Sequence, residues 1–333
     1  MSKKNVLLLF GGGGTEHEVS AVSVKYIKDC LSSMSQVNLT TIEIDRSGHW
    51  VDEKGKKFLL DAKRYLRSFD QDGDAGIRID VAVPCIHGYP GETGELPAYF
   101  EMIGLPYLGC NSETSKMCFN KITTKLWATA LGVANTPYIF LADASKDSLE
   151  KALGFQALHG DVVVKASNQG SSVGCYLVEK GKDATTAIKE AFALSPFVLM
   201  EKRMKPRELE ISVYEFDGKL QISYPGEIIS PNSFYTYEEK YSAVSKTATV
   251  IKAENLTSEQ VRTMTDYGAR LYHGLKLRHL SRVDFFLQDG TIYLNEINTF
   301  PGMTPISMFP KMMEANGHSF KTFLEQHIQN LSK

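Results

Sequence analysis

The fold is decided by one stretch near the C-terminus, which reads SRVDFFLQDGTIYLNEINTFPG from Ser281 to Gly302. Two mostly apolar runs flank the dipeptide Asp289-Gly290, and this pair of residues favours the tight turn of a β-hairpin. The stretch therefore predicts two antiparallel strands within Val283–Ile297.

The polar residues of this hairpin share one face. They lie at even-numbered positions and are Arg282, Asp284, Glu296 and Asn298. Side chains two residues apart on a strand point the same way. A connection with an odd number of residues would place Asp284 opposite Glu296, whereas a two-residue loop would put them on opposite faces. We therefore predict a three-residue or bulged turn, such as Asp289–Thr291.

Two carboxylates and an amide oxygen on one face form an oxygen-rich site for a hard cation. Mg²⁺ is commonly held by a few carboxylates together with nucleotide phosphates, so Asp284, Glu296 and Asn298 are candidate metal ligands. The alternative is a solvated outer face whose charge is balanced by Arg282. That alternative is disfavoured, because an exposed strand would mix lysine and threonine instead of clustering acids.

A second polar segment follows an apolar run in the middle of the chain. The strand-like sequence Val162-Val-Val-Lys165 ends in a lysine, and the loop ASNQGSSVG follows it up to Gly174. Backbone N–H groups and hydroxyls in such a loop can surround phosphate oxygens, and the lysine adds a positive charge. It is not a Walker loop, in which the lysine follows the glycines. An ordinary turn stays open as the alternative.

The opening segment, GGGGTEHEVS from Gly11 to Ser20, follows the apolar run Val6–Phe10. Its glycines are similar to the dinucleotide fingerprint of dehydrogenases. The match fails, because the third glycine position holds Glu16, whose carboxylate would repel a pyrophosphate. A glycine turn that presents an acid suits a substrate ammonium group. The alternative is that Glu16 or Glu18 only stabilises the first turn of a helix.

The composition bounds the class of protein. A length of 333 residues predicts two or three domains. The net charge of -2, from 37 basic and 39 acidic side chains, gives no general attraction to nucleic acid or to a membrane surface. No apolar stretch approaches the roughly 20 residues of a membrane-spanning helix. Five dispersed cysteines without a C-x-x-C pair predict reduced thiols and a cytoplasmic location.

The pattern along the chain predicts an α/β fold. The first third alternates apolar runs with helical segments, which indicates a mostly parallel sheet. Asn120 is predicted to cap a helix with Leu126, Ala130 and Leu131 on its apolar face. Later strands and helices are predicted at 162–165, 175–178, 183–193, 198–200, 210–216, 220–224, 258–275 and 319–331. The aliphatic-poor segment 231–246 is typical of a lid or binding loop.

Together these segments resemble the ATP-grasp enzymes and, more narrowly, the D-alanine–D-alanine ligase family. The resemblance covers essentially the whole chain and rests on the segments 11–20, 87–94, 120–121, 165–174, 201–202, 237–241 and 282–304. The departures are modest: Ala166 stands where proline is common, Gln169 where an acid is common, and Phe300 where serine or methionine is common. They bear on loop dynamics and affinity more than on the class of reaction.

The resemblance implies a three-domain ATP-grasp architecture. An N-terminal α/β domain with a parallel sheet would span residues 1–119 and bind substrate. A central subdomain over 120–205 would carry the Gly/Ser loop 167–174. A C-terminal domain over 206–333 would carry the lid 229–247 and the metal-binding hairpin 282–298.

The resemblance also implies roles for individual residues. Those implied to bind ATP are Lys121, Lys165, Ser171, Ser172, Glu201, Lys202, Met204, Glu208 and Lys240. Those implied to hold metal ions are Asp284, Glu296 and Asn298. Those implied to act on the amino-acid substrates are Glu16, His87, Ser171, Lys240, Tyr241, Arg282, Gly302 and Ser307. Among these, Glu16 would anchor the first ammonium group, and Arg282 with the Gly302 N–H would stabilise an oxyanion.

The implied reaction joins two D-alanines through a D-alanyl phosphate and gives D-Ala-D-Ala, ADP and phosphate for peptidoglycan precursors. Mg²⁺ or Mn²⁺ would be the cofactor, and the assembly would be a homodimer. Tyr241 resembles the residue of dipeptide-forming members, whereas relatives that join D-alanine to D-lactate often carry another residue there. A ligase for a different amine or hydroxyl, and a nucleotide-binding module without turnover, are the alternatives.

Overall fold

The computed structural model describes residues 3–69, 73–230 and 248–332. The first of its three sheets contains seven strands in the order β6-β5-β4-β3-β2-β1-β7. These strands are β1 (Lys4–Gly11), β2 (Val37–Ile44), β3 (Trp50–Val51), β4 (Lys57–Leu60), β5 (Tyr65–Ser68), β6 (Ile77–Arg78) and β7 (Val81–Cys85). The sheet is parallel at β2-β1-β7 and antiparallel beyond β2. The predicted parallel sheet is thus confirmed, and its antiparallel extension was not predicted.

The parallel part of this sheet is buried on both faces, as parallel strands usually are. Val6 to Leu9 of β1 have no exposed surface, which explains the continuous apolar run. Helix α1 (His17–Ser32) packs on one face. Helices α2 (Glu95–Met102), α3 (Ser112–Phe119) and α4 (Lys121–Ala130) then lead to the middle of the chain.

Helix α4 begins as predicted and buries a different face. Asn120 caps it by accepting hydrogen bonds from the backbone N–H groups of Ile122 and Thr123. The predicted apolar face is wrong, since the Leu126 side chain is 50% exposed. The helix instead buries Lys125, which is only 1% exposed. An ammonium group can be buried in this way only when it is paired.

The second sheet is antiparallel and has the order β10-β9-β11-β8. Its strands are β8 (Tyr138–Leu141), β9 (Val162–Ala166), β10 (Cys175–Val178) and β11 (Val198–Lys202). Helices α5 (Lys146–His159) and α6 (Thr185–Leu194) pack against it in one apolar cluster. The loop of interest, residues 167–174, therefore connects the neighbouring strands β9 and β10.

The third sheet carries the hairpin and has the order β15-β14-β12-β16-β17, with β13 also paired to β12. Its strands are β12 (Arg207–Phe216), β13 (Lys219–Ile222), β14 (Gly226–Ile229), β15 (Ala248–Val250), β16 (Leu280–Gln288) and β17 (Thr291–Asn298). The helices of this region are α7 (Ser258–Leu275), α8 (Met308–Ala315) and α9 (Phe320–Leu331). The segments predicted from residue 162 onward agree with the observed bounds to within three residues.

The hairpin confirms the predicted pairing and corrects its cause. Asp284 lies opposite Glu296, as predicted. The turn, however, contains only Asp289 and Gly290, because Gln288 already pairs with Thr291. Both turn residues have positive φ, 52° and 79°, which matches the twist of a two-residue hairpin. The extra residue is Asn295, a bulge inside β17 that restores the shared face.

The first and third sheets are packed together by the C-terminal helices. Phe320 and Phe323 of α9 share one apolar cluster with Val6 and Leu8 of β1. A buried imidazole adds a polar link, because the N–H of Gly109 donates to Nδ1 of His279 at 2.9 Å. This packing fixes the ends of β1 and β7 relative to the hairpin. Within the described residues, no helix has the length and apolarity needed to cross a membrane, and all five cysteines are unpaired.

Candidate active site

A cavity of about 710 Å³ is lined by strands of the third sheet and by loops and helices that are connected to the first two sheets. Eleven of the residues predicted from the sequence line it: Glu16, His87, Lys121, Ser171, Glu208, Arg282, Asp284, Glu296, Asn298, Gly302 and Ser307. Such a concave site with converging polar groups is the usual form of a small-molecule site.

One wall of the cavity is a row of carboxylates across three neighbouring strands. Glu210 of β12 pairs with Asp284 of β16, which pairs with Glu296 of β17. Side chains at directly opposite positions lie on the same face of a sheet, so the three acids are neighbours. Glu210 was missed from the sequence, although the alternation of Glu208 and Glu210 in an otherwise apolar strand was a signal for it.

Arg282 is held against this acidic row. Its Nε and one terminal nitrogen donate to the two oxygens of Asp284, both at 2.7 Å. Its Nε also lies 3.4 Å from Oε2 of Glu210, and the Asn298 amide donates to Asp284 at 3.0 Å. Burial alone would lower the pKa of Arg282, but the carboxylates of Asp284 and Glu210 raise it. One guanidinium among three acids leaves a net negative site, with oxygen donors that suit a divalent cation.

A second acidic group, Glu16, lies where the first sheet meets the Gly/Ser loop. The Ser171 hydroxyl donates to Oε1 of Glu16 at 2.5 Å. Two glycines allow this close approach: a Cβ on Gly170 would lie 2.5 Å from Oε2 of Glu16, and one on Gly88 would lie 2.8 Å away. Glu16 makes no side-chain cap to α1. Its contact with the Gly/Ser loop favours the ligand-binding interpretation over the alternative that Glu16 or Glu18 only stabilises the first turn of the helix.

The Gly/Ser loop contains two residues with positive φ, and the segment around it accepts hydrogen bonds from Lys121. Ser171 and Ser172 have positive φ, 49° and 61°, a conformation that non-glycine residues adopt rarely and mostly at functional sites. The Lys121 ammonium donates to the carbonyl oxygen of Gln169, and the Lys121 N–H donates to that of Ser167 at 3.0 Å.

Other predicted nucleotide-site residues lie outside the cavity lining. They are Lys165, Ser172, Glu201, Lys202 and Met204. Lys165 lies on β9, where its ammonium is 2.6 Å from Oε2 of Glu201. Burial would raise the pKa of Glu201, yet the ammonium groups of Lys125 and Lys165 lower it. Lys240 and Tyr241 of the predicted lid lie outside the described residues.

Two titratable groups complete the wall near Glu16, the half-buried Glu92 and the buried His87. Glu92 accepts hydrogen bonds from the N–H groups of Gly88 at 3.0 Å and of Phe300 at 3.1 Å. Burial, followed by the charge of Glu16, raises the pKa of Glu92 to about 8. Burial lowers the pKa of His87 to about 4, so its imidazole is neutral at neutral pH. Glu92 was inside a segment that carried the family resemblance but was given no role.

His87 is oriented by serine side chains of α1. Its Nε2 lies 3.0 Å from the hydroxyl oxygen of Ser23, and its backbone N–H donates to the Ser20 hydroxyl at 3.0 Å. The ring also meets Phe300 edge to face, with centroids 6.0 Å apart. These contacts connect α1 to the loop that follows the hairpin.

That loop brings Gly302 and Ser307 together at the start of α8. The Ser307 hydroxyl lies 2.7 Å from that of Thr304 and accepts from the Thr304 N–H at 3.0 Å. A Cβ on Gly302 would lie 3.1 Å from the same hydroxyl oxygen. The N-terminus of a helix favours an anionic group, so this corner of the cavity can accept a carboxylate or an oxyanion.

Family models match both parts of the chain. One described as "D-ala D-ala ligase N-terminus" matches residues 5–110, and one described as "D-ala D-ala ligase C-terminus" matches residues 126–329. Together they cover most of the sequence, including Glu16 and the acidic residues of the hairpin.

Individual relatives are similar over their full length. The chain is 51% identical to a D-alanine–D-alanine ligase of Vibrio atlanticus and 48% identical to one of Shewanella piezotolerans, with 99% of each chain covered. It is also similar to the crystal structure of D-alanyl-alanine synthetase A from Vibrio cholerae, at 50% identity and a TM-score of 0.94, covering 100% of this chain and 99% of that one. The chain belongs to the D-alanine–D-alanine ligase family.

Proposed function

We propose that this chain joins two molecules of D-alanine at the expense of ATP, and that the 710 Å³ cavity holds the reacting groups of both steps. The observation that carries the proposal is the convergence of Glu16, the Gly/Ser loop and the acidic row on this one cavity. The product is a building block for peptidoglycan precursors.

The nucleotide would lie between the Gly/Ser loop and the hairpin. Lys121 and Lys165 would neutralise its phosphates, and Lys240 would reach the γ-phosphate from the lid. The loop residues Ser171 and Ser172 would contribute N–H and hydroxyl groups. The segment from Glu201 through Lys202 to Met204 would line the adenine, and Glu208 would bind the ribose hydroxyls. Positioning and charge stabilisation account for most of the catalysis in phosphoryl transfer.

The acidic row fits a metal ion. Asp284, Glu296 and Asn298 would hold Mg²⁺ or Mn²⁺, since their oxygens are hard donors and the wall is net negative. When bound, the ion would neutralise phosphate charge. The carboxylate Asp284 is already orientated by Arg282 and Asn298, so it would meet the ion in a fixed position.

The first step moves the γ-phosphoryl group of ATP to a carboxylate oxygen of the first D-alanine and releases ADP. Glu16 would hold the ammonium of this D-alanine, with Ser171 and Tyr241 beside it, and neutral His87 would pack near it. The resulting acyl phosphate must be shielded from water. Closure of the lid, residues 229–247, would provide that shielding.

In the second step the amine of the second D-alanine attacks the acyl carbon, loses a proton and expels phosphate. Ser307 at the start of α8 would bind the carboxylate of this second molecule. The developing oxyanion would be stabilised by Arg282 and the N–H of Gly302. Two of the five N–H donors of Arg282 are engaged by Asp284, which leaves others to meet the oxyanion.

The proposal extends to the domain boundaries, the assembly and the location of the protein. The domains would be residues 1–119, 120–205 and 206–333; in support, each range contains the strands of one sheet. The assembly would be a homodimer, to be measured by light scattering. The location would be the cytoplasm, where ATP is available and the five unpaired cysteines would stay reduced.

The test is an assay of phosphate and D-Ala-D-Ala formed from ATP and D-alanine. We expect both products in equal amounts with Mg²⁺ and neither after chelation. Asp284→Asn and Glu296→Gln should each lower turnover by about 100-fold or more, comparable to the loss of other charge-stabilising groups, while the circular dichroism spectrum stays unchanged. Undiminished turnover in either variant would refute the metal site. Phosphate release with D-lactate or L-alanine but not with D-alanine would refute the assignment of D-alanine as the substrate.

A further inference from the structure

Lys125 is a fully buried cation that the reaction described above does not use. It lies on α4 and is 1% exposed. Its ammonium is 2.7 Å from Oε1 of Glu201 and donates to the Thr136 hydroxyl at 2.9 Å. It also lies 5.4 Å from the centre of the Tyr138 ring, within the range of a cation–π contact.

The same carboxylate binds the lysine assigned to the ATP phosphates. Oε2 of Glu201 is 2.6 Å from the ammonium of Lys165, so Glu201 bridges Lys125 and Lys165. The Thr136 hydroxyl donates to Oε1 of Glu201. Two ammonium groups and one carboxylate give this cluster a net charge of +1, and Lys165 is its member nearest the Gly/Ser loop.

The charge of the cluster decides how strongly Lys165 can attract a phosphate. If Lys125 were neutral, Lys165 and Glu201 would form a pair with no net charge. Lys165 would then be the one cation left on Glu201 among these two lysines, and Glu201 would compete more strongly with phosphate for the N–H donors of Lys165. With Lys125 present, Oε1 is satisfied by Lys125 and Thr136, and the cluster keeps a net charge of +1 at the end of β9, two residues before the loop begins. Burial would lower the pKa of Lys165, but the Glu201 carboxylate raises it, with smaller contributions from Cys175 and Glu296. The charge of Lys165 is therefore felt as far as the acidic row, to which Glu296 belongs.

We propose that Lys125 is a positioning residue for ATP: it neutralises Glu201 so that Lys165 presents a net positive charge to the triphosphate. The proposal rests on the assignment of Lys165 to the phosphates in the proposed function. Lys125 itself is given no contact with substrate, because its ammonium is enclosed by Glu201 and Thr136 and its side chain is only 2% exposed, against 16% for Lys165.

The test changes the net charge of the cluster by substitution and measures the effect on ATP binding. Lys125→Met keeps the length and apolar stem of the side chain and lowers the cluster charge from +1 to zero. We expect the KM for ATP, and the Kd for ATP with Mg²⁺ measured by calorimetry, to rise about 10-fold to 100-fold, while the KM for D-alanine changes by less than about threefold. Lys125→Arg keeps the charge and should retain most of the ATP affinity.

The double variant Lys125→Met/Glu201→Gln separates positioning from packing. It removes one positive and one negative charge and returns the cluster to +1. We therefore expect its ATP affinity to recover to within about threefold of that of Glu201→Gln alone. A merely structural lysine predicts the opposite: the double variant would bind ATP no better than Lys125→Met, and that result would overturn the proposal. An unchanged ATP affinity in Lys125→Met would overturn it as well.

Two further variants keep the test decisive. If Lys125→Met does not fold, Thr136→Val, which removes a hydrogen bond from Glu201 while leaving all charges, should raise the Kd for ATP by a few-fold; no change would overturn the proposal. Lys165→Met tests the proposed function separately. If it binds ATP normally, the assignment of Lys165 to the phosphates is wrong, whatever Lys125 does.

Discussion

Replacing Glu92 by glutamine should change how the stability of the protein depends on pH. The Glu92 carboxylate accepts from the N–H groups of Gly88 and Phe300 and faces the charge of Glu16. Burial and that charge raise its pKa from 4.5 to about 8. In the folded protein the group is therefore mostly protonated at neutral pH, whereas in the unfolded chain it is ionised.

The sign follows from proton binding. Because the folded state of Glu92 holds a proton that the unfolded state has lost, this group stabilises the fold fully below pH 4.5 and loses that contribution as the pH rises towards 8. The free energy of unfolding falls by about 1.4 kcal/mol per pH unit, or by about 3 kcal/mol between about pH 5 and about pH 7. Glutamine is neutral throughout, so Glu92→Gln abolishes the slope. It also loses one acceptor, a constant cost of about 1–3 kcal/mol.

The assay is urea unfolding of both proteins across this pH range, followed by the fluorescence of the two tryptophans, Trp50 in the first sheet and Trp127 in α4. As the pH rises from about 5 to about 7, the free energy of unfolding of Glu92→Gln should increase by about 3 kcal/mol relative to that of the wild type. Glu95→Gln, an exposed acid in the same segment, is the matched control and should follow the wild type. Parallel stability curves for wild type and Glu92→Gln would refute the raised pKa of Glu92.

Two more predictions concern glycines. Gly170→Ala would bring a Cβ within 2.5 Å of the Glu16 carboxylate, and we expect it to raise the KM for the first D-alanine about 10-fold or more, measured by initial rates, because the ammonium site is displaced. Gly268→Ala would place a Cβ 2.8 Å from Ile211 and should lower the free energy of unfolding by about 1–3 kcal/mol. Gly154→Ala, at an open position within a helix, should instead raise it by up to about 1 kcal/mol. Equal effects of the two helix substitutions in urea unfolding would contradict the packing argument.

The sequence predicted best where one residue pattern decides the structure. Helix α7 was bounded correctly because Thr257 and Gln260 form a complete capping box around its start. The apolar run of β1 has no competing interpretation, since it is too short for a buried helix. The hairpin face followed from the period of two, and Asp284 does lie opposite Glu296.

The sequence predicted least where distant residues decide the structure. The strands of the first sheet between Trp50 and Arg78 are only two to four residues long. Such short runs give no recognisable alternation, and the sheet that continues from β2 makes them strands. Lys125 has the sequence context of a surface lysine, and only the fold brings Glu201 and Thr136 to it. The bulge at Asn295 carries no local signal, because a tight Asp-Gly turn predicts a regular ladder.

Candidate site residues were easier to pick out from the sequence than the contacts that surround them in the fold. Glu16, Ser171 and the hairpin acids are polar residues in settings where glycine or apolar residues prevail, and such exceptions mark function. Glu92 and Glu210 were missed because their importance lies in what surrounds them. Glu210 matters since β12 pairs with β16 in a register that places it beside Asp284, which a single sequence does not specify.

In the proposed nucleotide site, the acidic row and the lysine cluster carry opposite charges, and ATP with its metal would need both. Three carboxylates and Arg282 leave the hairpin wall with a net charge of -2, which one divalent cation balances. The lysine cluster of Lys125, Glu201 and Lys165 is net positive, and Lys121 adds to it. A triphosphate with its metal carries both signs, so it gains from both walls only when its metal faces the acids and its phosphates face the lysines. The opposite orientation would set like charges against each other on both sides. In the proposed site, this charge pattern would therefore set the orientation of bound ATP independently of any contact with the adenine.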